Sequence, residues 1–219
     1  EYIHILEGLL KSVGINNNVT VFDIGTGASC IYPLLGHQVY GWNFVGTDID
    51  AKSIKQAQLN IDENNLTDKI QLRLQNDSAQ IFNQILIPSD TFSASMCNPP
   101  FFKSEEEMLE ATAQKLKGLG KKAETIKNFS GSFKELCYKG GEKAFVHNYL
   151  YESSLFKTNC YWYTTLVSKK ENVKSMYKSL NKLGATEIKT IPLQLGNKIS
   201  RIVAWTFLSK DQQNKWSVN

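Results

Sequence analysis

A chain of 219 residues can bury one sizeable core but has no room for two full domains, and 42% hydrophobic with 11% aromatic residues is a globular composition. No apolar run approaches the roughly 20 residues that a bilayer-spanning helix needs, which excludes a helical membrane protein and predicts a soluble one. The net charge of +4 is too small to argue from alone, but residues 111–139 hold seven lysines against two acids, and residues 169–201 hold eight basic groups against two acids.

In chain order, Ile3, Leu6, Leu9, Leu10 and Val13 recur at helical spacing over residues 2–13, and Gly14 with Asn16 to Asn18 closes that helix. The apolar run 19–24 predicts a central parallel strand, followed by the turn Asp23-Ile24-Gly25-Thr26-Gly27-Ala28-Ser29 and a helix. A second strand is expected over 44–47, closing on Asp48-Ile49-Asp50, then a helix over 51–65 stopped by Asn64-Asn65. Alternating Ile70, Leu72 and Leu74 form a third strand leading to Asn76-Asp77-Ser78, a helix is expected over 79–86, and a buried strand over 91–96. This rhythm of strand and helix predicts an α/β fold with a doubly wound parallel sheet.

Between 103 and 141 the rhythm breaks. Residues 105–117 read as a helix, but Gly118, Gly120, Gly131, Gly140 and Gly141 predict an irregular, mobile insertion that faces the substrate. Helical periodicity resumes over 142–156, followed by a strand over 161–167, a helix over 172–183 and two closing strands around 187–193 and 202–207, an antiparallel hairpin at the sheet edge. The chain starts at Glu1 without a methionine and inside a helical pattern, so an upstream segment is expected to have been removed. Cys30, Cys97, Cys137 and Cys160 lack C-x-x-C spacing and neighbouring histidine pairs, which predicts reduced thiols in a cytoplasmic protein with no zinc site and no disulfide framework.

The chemistry gathers in the loops that follow the first four strands. Asp23, Gly25 and Gly27 sit where a parallel strand meets a helix N-terminus, the place where open α/β sheets bind nucleotides, and Cys30 stands where a dinucleotide fingerprint has its third glycine. Asp48 lies 23 residues after Gly25 at the end of the next strand, near the spacing of a carboxylate that grips ribose hydroxyls; Asp50 is the competing choice and is better suited to capping the next helix. Asp77 is placed to accept from an adenine amino group or to cap the helix expected at 79–86, and Ser29 to contact a cofactor carboxylate or to cap its own helix.

Cys97-Asn98-Pro99-Pro100-Phe101-Phe102 ends the fourth strand. Two consecutive prolines remove two donors and fix two φ angles, so the chain leaves the sheet in a rigid, extended form. Amide and carbonyl oxygens of Asn98 and Pro99 can accept N–H bonds from a flat amine while the Phe101 ring stacks on its face. Phe102 reads as a core or hinge residue, Trp205 as core, and His4, His37 and His147 as structural.

Asp23-Ile-Gly-Thr-Gly27, an acid after the second strand and Asn98-Pro-Pro-Phe101 resemble S-adenosylmethionine-dependent methyltransferases acting on planar amines. Tyr2-Ile3-His4, Gly25 through Cys30-Ile31-Tyr32-Pro33-Leu34, Gly41-Trp42, Asn128-Phe129, Glu135-Leu136, Gly140-Gly141-Glu142, Ser200-Arg201 and Ala204-Trp205-Thr206-Phe207 narrow the likeness. Together they resemble the bacterial 23S ribosomal RNA adenine-N6 methyltransferase family, related to eukaryotic enzymes that methylate an adenine of U6 spliceosomal RNA. The resemblance implies a Rossmann-like class I fold, a mostly parallel seven-stranded sheet with an antiparallel edge hairpin, and one methyltransferase domain over 1–219 with a basic insertion at 103–141.

It further implies S-adenosylmethionine held by Asp23, Gly25, Gly27, Ser29, Asp48, Asp77 and Asn98, and methyl transfer to adenine N6 by Asn98, Pro99 and Phe101. Ribosomal RNA or an assembly intermediate would be the partner, its phosphates held by Lys115, Lys117, Lys121, Lys122 and Lys127 and by the basic block at 169–201, with no membrane, no metal and a monomeric protein. Two departures stand out: the family has Glu where this chain has Asp48, and the segment before Tyr-Ile-His, which carries an arginine implicated in the site, is absent. The competing functions are a protein glutamine-amide methyltransferase and a non-catalytic RNA-binding module of the same fold.

Overall fold

The computed structural model describes residues 1–118, 136–195 and 198–216; at 112, 114–118, 194, 195, 198 and 199 the backbone alone is described. Strands β1 (Thr20–Ile24), β2 (Asn43–Asp48), β3 (Ile70–Leu74), β4 (Phe92–Cys97), β5 (Cys160–Val167), β6 (Glu187–Leu195) and β7 (Lys198–Thr206) form one seven-stranded sheet in the order β3-β2-β1-β4-β5-β7-β6. β1 to β5 run parallel, and β7 lies antiparallel to both β5 and β6, the expected edge hairpin. The described helices are α1 (Tyr2–Lys11), α2 (Ile31–Tyr40), α3 (Ala51–Glu63), α4 (Glu105–Gly118), α5 (Gly141–Ser153), α6 (Lys170–Leu183) and α7 (Lys210–Trp216).

Both faces of the sheet are covered, as the unbroken apolar strands require. Val21 packs into a cluster with Leu6 and Leu10 of α1 and Ala57 and Ile61 of α3, whereas its neighbour Phe22 packs into the opposite cluster with Tyr149 and Leu150 of α5 and Met176 and Leu180 of α6. Trp205 is fully buried in that second cluster and donates its indole N–H to Ser153 Oγ at 3.0 Å. The chain adds β2 and β3 outward from β1, then returns to place β4 on the other flank of β1. That reversal opens a crevice beyond the carboxyl ends of β1 and β4.

The expected helix at 79–86 does not form; the segment is a series of turns. The reason is a side chain from far along the sequence. Glu152 of α5, 5% exposed, accepts the backbone N–H groups of Ile81 (3.0 Å), Phe82 (2.9 Å) and Asn83 (3.3 Å), so three donors are satisfied without helical partners. Downstream, the Arg73 guanidinium forks onto the Asp90 carboxylate at 2.5 and 3.1 Å and onto the Ile85 carbonyl at 3.0 Å. Also differing from the sequence reading, α7 follows β7, and both hairpin strands run longer than expected.

Candidate active site

The register of the sheet sets the site. Ile24 of β1 pairs with Thr47 of β2 and with Cys97 of β4, so Gly25 and Asn98 each leave their strands one residue beyond a shared row, level with Asp48, the last residue of β2 and still paired with Leu74 of β3. Gly25 and Thr26 both donate their N–H groups to the Thr47 carbonyl, at 2.9 and 2.8 Å, which folds the chain tightly back over β2. Gly25 holds φ +72°, and a Cβ there would meet nothing within 4 Å, because that side of the turn opens onto the crevice. A cavity of about 90 Å³ lies over the row and is lined by Gly25, Asp48, Gln75, Gln80, Asn98 and Tyr138 among others.

Asp48 is 4% exposed; Oδ2 accepts the Gly27 N–H at 3.0 Å and Oδ1 the Asp50 N–H at 2.9 Å. Burial raises its pKa, and the N–H bonds from Asp50 and Gly27 oppose the rise. Asp50 caps α3, accepting from Ser53 N at 3.2 Å and Ser53 Oγ at 3.0 Å, the capping role expected of it. Asp23 is 1% exposed and both of its carboxylate oxygens lack a hydrogen-bond partner among the described residues. Burial pushes its pKa up to about 7; the nearby Thr26 hydroxyl offsets part of this, and the charge of Asp48 adds to it.

Asp77 accepts the Ala79 N–H at 2.9 Å, and its own N–H goes to Gln75 Oε1 at 3.0 Å; the cavity wall beside it is built by Gln75, Ser78, Gln80 and Ile81. Gln80 Oε1 is buried without a hydrogen-bond partner among the described residues, an open acceptor that the sequence reading missed because a helix was expected there. Ser29 is exposed just before α2, whose cap position is taken instead by Cys30 at φ 51° with no side-chain capping bond.

After Asn98, which is exposed and lines the cavity, Pro99 is buried and the Phe101 ring is 38% exposed; of this corner, Asn98 and Pro100 belong to the cavity wall and Pro99 and Phe101 do not. Phe102 anchors the next stretch: its N–H donates to Leu136 O at 3.1 Å and its carbonyl accepts from Tyr138 N at 2.9 Å, closing the base of the insertion. Cys137 and Tyr138 thereby join the cavity wall, with Phe145 of α5 edge-on to Tyr138 at 5.2 Å. Of the basic insertion, Lys121, Lys122 and Lys127 lie outside the described residues, and Lys115 and Lys117 belong to α4 by backbone alone.

His4 lies 2.6 Å from the Tyr40 hydroxyl, His37 contacts the Trp42 carbonyl at 2.9 Å and His147 meets Ser175 and Ser179, so none of the three enters the cavity wall. Among the described residues there is no group of three His, Cys, Asp or Glu side chains able to hold a metal ion, and no helix long and apolar enough to cross a membrane.

Sheet order, glycine turn, acid after β2 and crevice at the switch point define a class I methyltransferase. The chain belongs to an RNA methyltransferase family, whose sequence profile matches residues 1–209. Ribosomal RNA large subunit methyltransferase F of Photobacterium profundum is 43% identical over 99% of this chain and 71% of its own length, and that of Flavobacterium psychrophilum is 44% identical with the same coverage. The human METTL16 catalytic domain, solved with a MAT2A 3′UTR hairpin, superposes with a TM-score of 0.76 at 28% identity, covering 95% of this chain and 69% of that one. The N-terminal domain of human METTL16 in complex with SAH gives a TM-score of 0.72 at 26% identity, over 95% and 69% of the two chains. The enzyme is thus an S-adenosylmethionine-dependent RNA methyltransferase, and the cavity fits that cofactor: an open glycine turn, an acid after β2 and an unmet acceptor at Gln80.

Proposed function

We propose that the chain methylates N6 of an adenine in large-subunit (23S) ribosomal RNA. The observation that carries this reading is the corner at Asn98 and Pro99, which leaves the sheet beside the glycine turn and is followed by the exposed ring of Phe101. An aryl amine is a poor nucleophile because its lone pair is delocalised into the ring. The Asn98 side-chain oxygen and the Pro99 carbonyl accept the two amino hydrogens and turn the nitrogen toward tetrahedral geometry, while Phe101 stacks on the base. When bound, S-adenosylmethionine would supply the electrophilic sulfonium methyl group. Holding two reactants in line in this way supplies about 7–11 kcal/mol in favourable intramolecular cases. The nitrogen sheds its proton after transfer, when it is already cationic, so the site needs no general base.

Asp48 serves the ribose of the cofactor, Gly25, Gly27 and Ser29 its amino-acid end with Asp23 beneath, and Gln80 with the Asp77 turn its adenine. The adenine to be methylated enters unpaired or flipped. The single domain 1–219 acts as a monomer in the cytoplasm, on free ribosomal RNA or on an assembly intermediate. Lysines 115, 117, 121, 122 and 127 and the exposed lysines of α6 hold the flanking phosphates.

Labelled cofactor with unmodified large-subunit RNA, followed by nuclease digestion, tests the reading. Label in N6-methyladenosine is expected, and Asn98→Ala is expected to abolish it. Label in another nucleoside, or transfer to a protein glutamine instead, overturns it.

A further inference from the structure

The strand that carries Asn98 parts from its neighbour just before the corner. β4 and β5 stay in register through Ser95 and Tyr163 and no further, although Cys97 remains paired with Ile24 of β1. In a parallel ladder the N–H and C=O of one residue face the same neighbour, so the two polar groups of Cys97 on the β5 side need other partners. They meet side-chain hydroxyls. Cys97 N donates to the Tyr2 hydroxyl at 3.3 Å, and the Cys97 carbonyl lies 3.5 Å from Thr165 Oγ1, whose one proton has a nearer acceptor in the Leu166 carbonyl at 3.1 Å.

The proton directions of this bridge are determined. Thr164 Oγ1 donates to the Ser95 carbonyl at 2.8 Å, so its contact with Tyr2 at 2.9 Å must be one in which the phenol donates. The chain of bonds therefore runs from Cys97 N–H to Tyr2 O–H to Thr164 Oγ–H and ends on the Ser95 carbonyl, leaving β4 and returning to it two residues earlier. From the opposite face of the sheet, the Tyr149 hydroxyl donates to the Thr164 carbonyl at 3.3 Å and lies 2.6 Å from Ser95 Oγ. Tyr2 is 3% exposed, and its ring is fixed edge-on against Tyr32 at 5.7 Å. Burial holds its phenol well above the ordinary range, so it keeps the proton that it donates.

We propose that Tyr2 is a positioning residue for methyl transfer, its hydroxyl replacing the missing β5 partner of Cys97 and so fixing the direction in which Asn98 and Pro99 leave the sheet. It touches no substrate; it acts through the peptide that precedes Asn98. This rests on the proposed role of Asn98 and assigns a use to the N-terminal Tyr-Ile-His segment that the site itself does not explain.

The test compares Tyr2→Phe, Thr164→Val and Thr164→Ser. Tyr2→Phe keeps the ring and removes one oxygen. It is expected to lower kcat about tenfold with cofactor and RNA dissociation constants within about twofold of wild type. Thr164→Val should do the same, Thr164→Ser should retain activity, and the double variant Tyr2→Phe with Thr164→Val should lose little more than either single one, because both break one chain. Hydrogen exchange at the Cys97 amide needs no substrate and is expected to quicken about tenfold in Tyr2→Phe. Unchanged Cys97 protection, or unchanged kcat per folded molecule, overturns the proposal. A wild-type protein that forms no N6-methyladenosine overturns the functional reading instead, and the exchange measurement then still decides whether Tyr2 holds Cys97.

Discussion

Asp48 Oδ2 accepts the backbone N–H of Gly27 at 3.0 Å, so the carboxylate that ends β2 also holds the turn that ends β1. Its second oxygen accepts from Asp50 N at 2.9 Å, and the residue lines the cavity. Asp48→Asn removes the charge and turns one acceptor into a donor facing an N–H. The expected result is a rise in the dissociation constant of S-adenosylhomocysteine of about tenfold or more, read by calorimetric titration. Asp50→Asn is the control: its carboxylate caps α3 at Ser53, so it should cost no more than about 1 kcal/mol of stability and leave cofactor affinity unchanged.

Asp23 sets a pH dependence of stability. Its folded pKa of about 7 lies above the ordinary 3.8, so the folded state holds a proton that the unfolded chain has released over that interval. Stability is therefore highest below about pH 4 as far as this group is concerned, falls as the pH rises, and is fully lost from this source once Asp23 ionises above about pH 7. Asp23→Asn should flatten the decline. Urea unfolding at about pH 5 and about pH 8 should show a drop on the order of 2–4 kcal/mol larger in wild type than in the variant. Equal drops in the two proteins would remove Asp23 as the cause.

The sheet was legible in the sequence because the central parallel strands are buried on both faces and read as apolar runs, as at Val21, Phe22 and Ile24 or Ala94, Met96 and Cys97, while β3, buried mainly at Ile70, showed as the alternation of Ile70, Leu72 and Leu74. The loops carrying Gly25, Asp48 and Asn98 were legible because each follows such a run directly. The segment 79–86 was not, since its helical pattern is overridden by Glu152, about 70 residues downstream in the chain and invisible to any local window. Gln80 was hidden by the same error. Tyr138 and Phe145 were missed because they reach the cavity only through the pairing of Phe102 with residues 136–138, a long-range contact without a periodic signature.

Glu152 should be costly to change. A glutamine there keeps one acceptor oxygen for three backbone donors at 2.9 to 3.3 Å and loses the carboxylate's charge and second acceptor. Glu152→Gln is expected to lose about 2–4 kcal/mol in chemical denaturation. Because Ser78, Gln80 and Ile81 line the cavity, cofactor affinity should fall as well. Asn148→Ala, which removes a 2.8 Å bond to the Ala79 carbonyl from a more exposed position, should weaken cofactor binding in the same direction at a smaller cost, about 1 kcal/mol.

The lysines of α6 separate an RNA surface from a merely solvated one. Asn172, Met176 and Leu180 seat the helix, with Asn172 Nδ2 donating to the buried Glu142 carboxylate at 2.9 Å, and this seating turns Lys170, Lys174, Lys178 and Lys182 outward at four-residue spacing. Lysines that neutralise phosphates release counterions, and each contributes about 0.7–0.9 to the slope of log affinity against log salt. Lys174→Glu with Lys178→Glu should therefore weaken RNA binding and reduce that slope by about 1.4–1.8, measured by fluorescence anisotropy across a salt series. S-adenosylhomocysteine affinity should be unchanged, since neither side chain lines the cavity. An unaltered slope would make this stripe a solvated helix face and leave the phosphates to the insertion at 103–141.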